Sequence, residues 1–116
     1  MSTTERNAAA TPADATSATS SADPVLTDPG LYSVVFENER VRVLEYRDVP
    51  GDRTCEHDHP DMVIIPLATF RRRLTVGGRE VEVEQTRHQA RWVDAQTHIG
   101  ENIGDVPTHA LFVELK

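Results

Sequence analysis

Short runs of β-forming residues, separated by turn signals, follow one another along the chain from Leu31 to Leu115. The runs are rich in valine, isoleucine, leucine and aromatic residues, and none has the 3.6-residue period of an amphipathic helix. Gly77-Gly78 separates two of them, which indicates a β-hairpin because glycine adopts the positive φ angles of a tight turn. Many short strands at regular spacing are typical of a β-sandwich or β-barrel. The predicted strands span residues 31–36, 40–46, 61–67, 70–76, 79–84 and 110–115.

The N-terminal segment differs in composition from the rest of the chain. Residues 7–24 are nearly all alanine, serine, threonine, aspartate or proline. With so few large apolar side chains to bury, such a segment cannot offset the entropy lost on ordering. A short alanine-rich helix is the alternative, but Pro12 and Pro24 oppose it. We therefore expect a disordered Ala/Ser/Thr/Pro-rich tail over residues 1–27 and one folded domain over 28–116.

Charge and cysteine content restrict the classes of partner. The formal net charge is -7, with 19 acidic against 12 basic residues, which argues against nucleic-acid binding because such surfaces are basic. No apolar run approaches the roughly 20 residues that span a bilayer, and the N-terminus lacks a secretory pattern. Cys55 is the single cysteine, so internal disulfides are excluded and a reducing compartment is favoured. We expect a cytoplasmic protein that binds a small molecule, with neither nucleic acid nor membrane as a partner.

Three histidines have a spacing that suits metal binding. His57 and His59 are separated by one residue, so on an extended strand both side chains point to the same face. His98 lies much further along the chain and is followed four residues later by Asn102. Two imidazoles on one face, met by a third from another strand, make half or more of a first-row transition-metal site. Two solvated loop histidines are the alternative for the isolated pair.

Together with a preceding glycine, these residues resemble the motifs of the cupin family. The family's first motif has a glycine, five residues and then His-x-His, which Gly51, His57 and His59 match. Its second motif ends in a histidine, three residues and an asparagine, which His98 and Asn102 match. The resemblance implies an all-β, RmlC-like jelly-roll barrel that holds a metal inside. The chain is similar, more closely, to short bacterial cupins of β-alanine degradation.

The sequence departs from the cupin motifs at the position of the carboxylate ligand. Val63 and Ile64 stand where the family has a glutamate, and the glycine, proline and glycine of the second motif are replaced. The resemblance therefore implies a first shell of three histidines. The ligands it implies are His57, His59 and His98, and the replaced positions of the second motif are Arg87, Val93 and Ala95.

The three-histidine set resembles that of cupins that act as thiol dioxygenases and diketone-cleaving dioxygenases. Three neutral ligands leave a bound ion with its full charge of +2, which favours an anionic chelating substrate. We expect an Fe(II) oxygenase acting on a small anionic metabolite. Iron is preferred through the resemblance alone, since nickel, copper, zinc or manganese also accept such ligands. The alternatives are a non-catalytic ligand-binding cupin and a redox-neutral isomerase or lyase.

Three polar residues are candidates for a catalytic role. Asn102 aligns with His98 on a strand and either hydrogen-bonds near the substrate or serves a turn. Asp61 shares the parity of His57 and His59, so it either orients a ligand or lies at the rim in solvent. His109 either points into the pocket as an acid/base group or lies half-exposed on the last strand.

Three further residues are candidates for the substrate pocket. Cys55 shares the histidine parity and is either a thiol near the metal, a fourth ligand or a small buried side chain. Arg72 shares a face with Phe70 and either binds a substrate carboxylate or lies on a solvated strand. Trp92 lines the pocket wall or a dimer interface, or it packs in the core. A homodimer is expected because short barrels with exposed edge strands often pair.

Overall fold

Nine β-strands and one short helix make up the protein in a computed structural model that describes residues 22–116. The all-β prediction is thereby confirmed. Among these residues no helix is long and apolar enough to cross a membrane. The elements are α1 (Pro24–Thr27), β1 (Tyr32–Glu37), β2 (Val41–Asp48), β3 (His57–His59), β4 (Met62–Pro66), β5 (Phe70–Val76), β6 (Arg79–Gln85), β7 (Arg91–Val93), β8 (Gln96–Asn102) and β9 (Thr108–Leu115).

The strands form two antiparallel sheets whose inner faces share one core. The first sheet has the order β1-β2-β9-β4-β7 and the second the order β3-β8-β5-β6. Side chains alternate between the faces, so that in β4 Met62, Ile64 and Pro66 are buried while the residues between them are half-buried. The core cluster draws Leu44 from one sheet and Phe70 from the other. The space between the sheets is therefore where a site can be shielded from water.

The β5–β6 hairpin forms as the glycine pair predicts. Gly77 and Gly78 have φ angles of 58° and 80°, in the left-handed region that glycine enters at no steric cost. Arg71 and Arg73 point outwards and approach Glu82 across the hairpin at 3.4 and 3.5 Å. The strand parity then turns the intervening arginine of β5 towards the interior.

The folded region begins before the boundary that composition indicates. Asp23 caps α1 by accepting from Val25 N at 3.0 Å, and its carboxylate pairs with Arg42 at 2.9 Å. The backbone of Asp58 also donates to Ala22 O. Residues 22–27 thus pack against the barrel, which corrects the prediction that they belong to a disordered tail. The remainder of that predicted tail, residues 1–21, lies outside the described residues.

One row of apolar side chains crosses the outer face of the five-stranded sheet. In register from β1 to β7, each strand contributes one residue, and the two at the ends are more than half exposed. The outer face of this sheet therefore carries a contiguous apolar row, which an ordinary solvent-exposed surface does not require. The row runs Phe36, Val43, Val113, Val63 and Trp92.

Candidate metal centre

The three predicted histidines meet in the interior. His57 and His59 lie on β3 and alternate with an exposed residue, so both rings point inwards as their spacing predicts. His98 lies on β8 directly opposite His57 in the strand register. All three are buried, and their ligand nitrogens lie within 4.8 Å of one another. The cluster can therefore bind a divalent metal.

Each of the three rings is held through its Nδ1 atom by an acceptor. A carbonyl, a carboxylate or an amide oxygen can only accept, so each Nδ1 carries the proton and donates it. In a neutral imidazole the lone pair then lies on Nε2. The acceptors are Cys55 O for His57 at 2.8 Å, Glu114 Oε2 for His59 at 2.8 Å and Gln96 Oε1 for His98 at 2.6 Å.

The distance between His57 and His59 fits an ion bound by both of their Nε2 atoms. The Nε2 atoms of His57 and His59 are 3.0 Å apart. Two nitrogens at the usual 2.0–2.1 Å from one ion are separated by about 3 Å when they subtend a right angle. Two converging lone pairs repel each other unless a cation or a donor lies between them. The donor set and its geometry therefore fit a first-row transition metal without fixing which one.

Burial keeps His57 and His98 in the neutral form that a metal requires. Burial, reinforced by His59, lowers the pKa of His57 to about 4. Burial and the same neighbour lower the pKa of His98 to about 2. Neither ring is protonated at neutral pH, so a metal need not displace a proton from either one.

A buried carboxylate that the sequence analysis missed orients one of the ligands. Glu114 on β9 is 2% exposed and faces His59, while Arg42 donates to its other oxygen from Nε at 3.0 Å and Nη2 at 2.9 Å. Arg42 in turn pairs with Asp23. A carboxylate behind a metal-binding histidine fixes the ring and strengthens its lone pair. β4 therefore supplies no carboxylate ligand, but the neighbouring strand β9 supplies Glu114, which contacts the histidine ligand His59.

We expect Glu114→Gln to lower the affinity for a divalent metal by about 10- to 100-fold, because the amide keeps the shape but not the charge behind His59. Competition titration against a chelator with a known affinity measures the change. Glu82→Gln, an exposed change on β6 with the same chemistry, is the matched control. Equal affinities in the two variants would contradict the role assigned to Glu114.

A cavity of about 60 Å³ opens beside the histidine cluster. His98, Tyr32 and Gln96 contribute to its wall, and so does Arg72, with apolar side chains of both sheets between them. Of the residues predicted for the substrate pocket, Arg72 lines this cavity. Cys55 and Trp92 are absent from this lining.

Tyr32 faces the ligand atoms and was not singled out by the sequence. Its hydroxyl lies 3.3 Å from His57 Nε2 and donates towards that lone pair. Burial, with a smaller effect of Tyr46, raises the pKa of Tyr32 well above its ordinary value. The phenol therefore stays protonated and can donate to a group bound beside His57. Only its place in a β-rich run distinguishes this tyrosine in the sequence.

Asn102 is buried but stands behind the pocket rather than in its wall. Its Nδ2 donates to Asp48 Oδ1 and to Val106 O, both at 2.9 Å, and its Oδ1 accepts from Gly104 N. It therefore serves the turn after β8 and holds a carboxylate. The side chain of Asn102 is therefore not placed to contact a substrate in the cavity.

The structure corrects the placement of two other predicted catalytic residues. His109 alternates with Thr108 and Ala110, which line the cavity, so its ring lies on the outer face and bonds Glu45 at 2.7 Å. Asp61 is exposed and accepts from the backbone of Ala95 at 2.8 Å. Neither side chain is available to the histidine cluster in this arrangement.

Two predicted pocket residues also need correction. Cys55 is exposed, and only its backbone carbonyl contacts His57, because the chain before β3 is not an extended strand. Trp92 is 53% exposed on the edge strand β7, where its Nε1 donates to Asp94. Parity on β7 turns its neighbour Val93 into the cavity instead.

Solved structures of cupins are similar to this chain. A cupin domain from Bordetella pertussis Tohama I is 30% identical over 74% of this chain and 92% of that chain, with a TM-score of 0.70. An RmlC-like cupin family protein with a double-stranded β-helix fold from Methanocaldococcus jannaschii is 13% identical over 73% and 78%, with a TM-score of 0.60. A predicted oxalate decarboxylase from Thermotoga maritima is 14% identical over 73% and 79%, with a TM-score of 0.52. No protein-family model and no curated protein matches the sequence. The cupin-type jelly-roll prediction is confirmed.

Proposed function

Because this chain belongs to the cupin family, we propose that it is a metal-dependent oxygenase that uses Fe(II) and acts on a small anionic metabolite. The observation that carries the proposal is the convergence of three buried histidines, each fixed through Nδ1, beside a small cavity that His98 helps to line. Such a ligand set leaves coordination positions open for a substrate, as catalytic sites require. When bound, Fe(II) would supply the one-electron chemistry that reactions of O₂ need.

The residues around the cluster have separable tasks in this proposal. Glu114 and Arg42 hold the ring of His59 in place. Tyr32 keeps a proton at its hydroxyl, which lies 3.3 Å from His57 Nε2. When that lone pair binds a metal, the hydroxyl can instead donate to a ligand bound beside His57. The apolar walls exclude water, which strengthens every electrostatic contact with a bound ligand.

The charge around the cluster favours an anion. The three histidine ligands contribute no negative charge. Glu114, Asp23 and Arg42, which pairs with both carboxylates, together carry one negative charge, less than the +2 of the ion. A divalent ion here keeps a net positive charge that a carboxylate or other anionic donor can offset. We therefore propose anionic chelating substrates over neutral ones.

The test is O₂ consumption by protein reloaded with Fe(II) without oxygen and then supplied with a panel of short carboxylic acids and thiols. We expect iron-dependent O₂ uptake with at least one member and none in the apo protein. Thermal shifts without O₂ uptake would favour a ligand-binding cupin. Turnover that persists without O₂ would favour an isomerase or lyase, and either result overturns the oxygenase proposal.

Several finer expectations stay predictions. They are the resemblance to cupins of β-alanine degradation, the cytoplasmic location and the homodimer. The outer row that includes Phe36 and Trp92 is the surface on which a second copy would bury apolar area.

A further inference from the structure

The guanidinium of Arg72 lies in the cavity wall with part of its hydrogen-bonding capacity unused. Arg72 is 8% exposed on the inner face of β5. Its Nη1 donates to Asp48 Oδ2 at 2.7 Å and to Thr108 Oγ1 at 3.1 Å, and its Nη2 donates to Tyr46 OH at 3.2 Å. These contacts fix the plane of the guanidinium from one side.

A guanidinium has five N–H donors, and three of those of Arg72 are engaged. Within residues 22–116, no acceptor is found for its Nε hydrogen or for the second Nη2 hydrogen. In a guanidinium, the Nε hydrogen and one Nη2 hydrogen are adjacent and nearly parallel, and this fork matches both oxygens of one carboxylate. Asp48 and Thr108 bind Nη1, on the other side of the group. Two buried donors without acceptors lower the stability of the folded protein unless a ligand or water provides acceptors for them.

Asp48 holds Arg72 without using this fork. Its Oδ2 accepts from Arg72 and Tyr46, and its Oδ1 accepts from Asn102 Nδ2 and Thr108 N. The carboxylate is therefore saturated and rigid. It balances the charge of Arg72, so that directed hydrogen bonds rather than net charge would select the ligand.

Gly100 provides the space in which the guanidinium lies. A Cβ atom at this position would stand 2.6 Å from Arg72 Nη2, well inside van der Waals contact. Any other residue would therefore displace the guanidinium. Gly100 also follows His98 by two residues on the same face of β8, which places the two about 6.5–7 Å apart along the strand.

The cavity thus has a metal-binding end and a carboxylate-binding end. We propose that Arg72 binds the carboxylate of a short aliphatic acid whose other end carries the group that binds at the histidine cluster. This inference rests on the proposed function and names its substrate class. A cavity of about 60 Å³ holds roughly four to six non-hydrogen atoms, because one water needs about 10–15 Å³ of the same measure. An acid of three carbons with a polar group at each end matches this volume when its metal-binding group lies at the histidine cluster. Malonate, for example, then places four of its seven non-hydrogen atoms in the cavity.

Malonate is the probe, and calorimetry of the Ni(II)-loaded full chain is the measurement. We expect malonate to bind at least about tenfold more tightly than propionate, which lacks the second group, or malonamide, whose amide offers the fork one acceptor oxygen instead of two. Arg72→Lys keeps the charge but loses the fork, and we expect it to weaken malonate binding by about tenfold or more. Its affinity for Ni(II) should stay within about threefold of the original, because Arg72 does not touch the ligands.

Two further variants distinguish the loss of a binding contact from a loss of folding. Gly100→Ala keeps both members of the Arg72–Asp48 pair, and we expect it to weaken malonate binding through displacement of the guanidinium. Arg71→Gln, on the adjacent exposed position, is the matched control and should bind malonate normally. Malonate affinity that is unchanged in both Arg72→Lys and Gly100→Ala overturns the inference. If malonate affinity depends on Arg72 but no acid supports O₂ uptake, the oxygenase proposal fails and the carboxylate site stands.

Discussion

Replacement of His98 with alanine is expected to lower the affinity for a divalent transition metal by more than about 100-fold. Protein zinc sites with apparent binding free energies of about 10 kcal/mol or more give each ligand a share of about 3 kcal/mol, which corresponds to a factor of more than 100. The remaining His57 and His59, with Nε2 atoms 3.0 Å apart, leave one side of the ion open to water. Elemental analysis after reloading and dialysis, with a chelator competition titration, measures the loss.

His88→Asn is the matched control for this experiment. His88 is exposed and has a φ of 67°, a conformation that asparagine tolerates better than most residues. We expect the control to retain one metal per chain. Equal metal content in His98→Ala and His88→Asn would remove the basis for the proposed centre, since among the described residues no other histidine, cysteine, aspartate or glutamate groups with His57 and His59.

The histidine cluster could be predicted because its information is local. A spacing of two residues on a strand fixes the relative direction of His57 and His59 whatever the rest of the chain does. The resemblance to the cupin motifs then identifies His98 as the third metal ligand. By contrast, β3 and β8 carry few of the apolar residues that define a strand pattern, so the pattern predicts neither strand.

Glu114 could not be found in this way, because its role depends on a pairing between strands distant in sequence. Both faces of β9 carry apolar residues, with Phe112 on the inner face and Val113 on the outer. The pattern alone does not say which face is inside, and a glutamate near the end of a strand is usually solvated. The same ambiguity explains why the pattern does not show that His109 lies on the outer face of β9.

Arg72 shows the intermediate case. Its parity with Phe70 predicts that its side chain points inwards, as it does in the structure. Its partner Asp48, however, lies on β2, in the other sheet. Only the folded barrel brings the two together. The pocket therefore depends on an ion pair whose existence a single sequence cannot show.

The second large effect is expected on stability. We expect Asp48→Ala to lower the free energy of unfolding of the metal-free protein by about 3–5 kcal/mol. The change leaves Arg72 as a buried charge without its partner and removes an acceptor from Asn102 and Thr108 N. Urea denaturation followed by circular dichroism measures it, with Asp105→Ala, an exposed change, as the control.

The pH dependence of this effect follows from the pKa of Asp48. Burial raises that pKa, but hydrogen bonds from Tyr46, Arg72 and Asn102 outweigh it, so the pKa in the folded protein lies below its ordinary value. A depressed carboxyl pKa contributes stability above the unfolded value of about 3.9, and this stability is lost as the pH falls through the folded value. The difference between the original protein and Asp48→Ala should therefore shrink in acid.

The double variant Asp48→Leu with Arg72→Met separates the loss of a partner from the loss of the pair. Replacing a whole buried ion pair with apolar residues of similar volume is often neutral or stabilising, whereas removing one member is not. We expect the double variant to recover the part of the lost stability that comes from the unpaired charge of Arg72, and to bind malonate no better than Arg72→Lys. Asn102 Nδ2 and Thr108 N stay without their acceptor, so the rest of the loss persists. If Asp48→Ala costs less than about 1 kcal/mol, Arg72 is hydrated in solution, and its fork cannot be the buried, preorganised site that the geometry indicates.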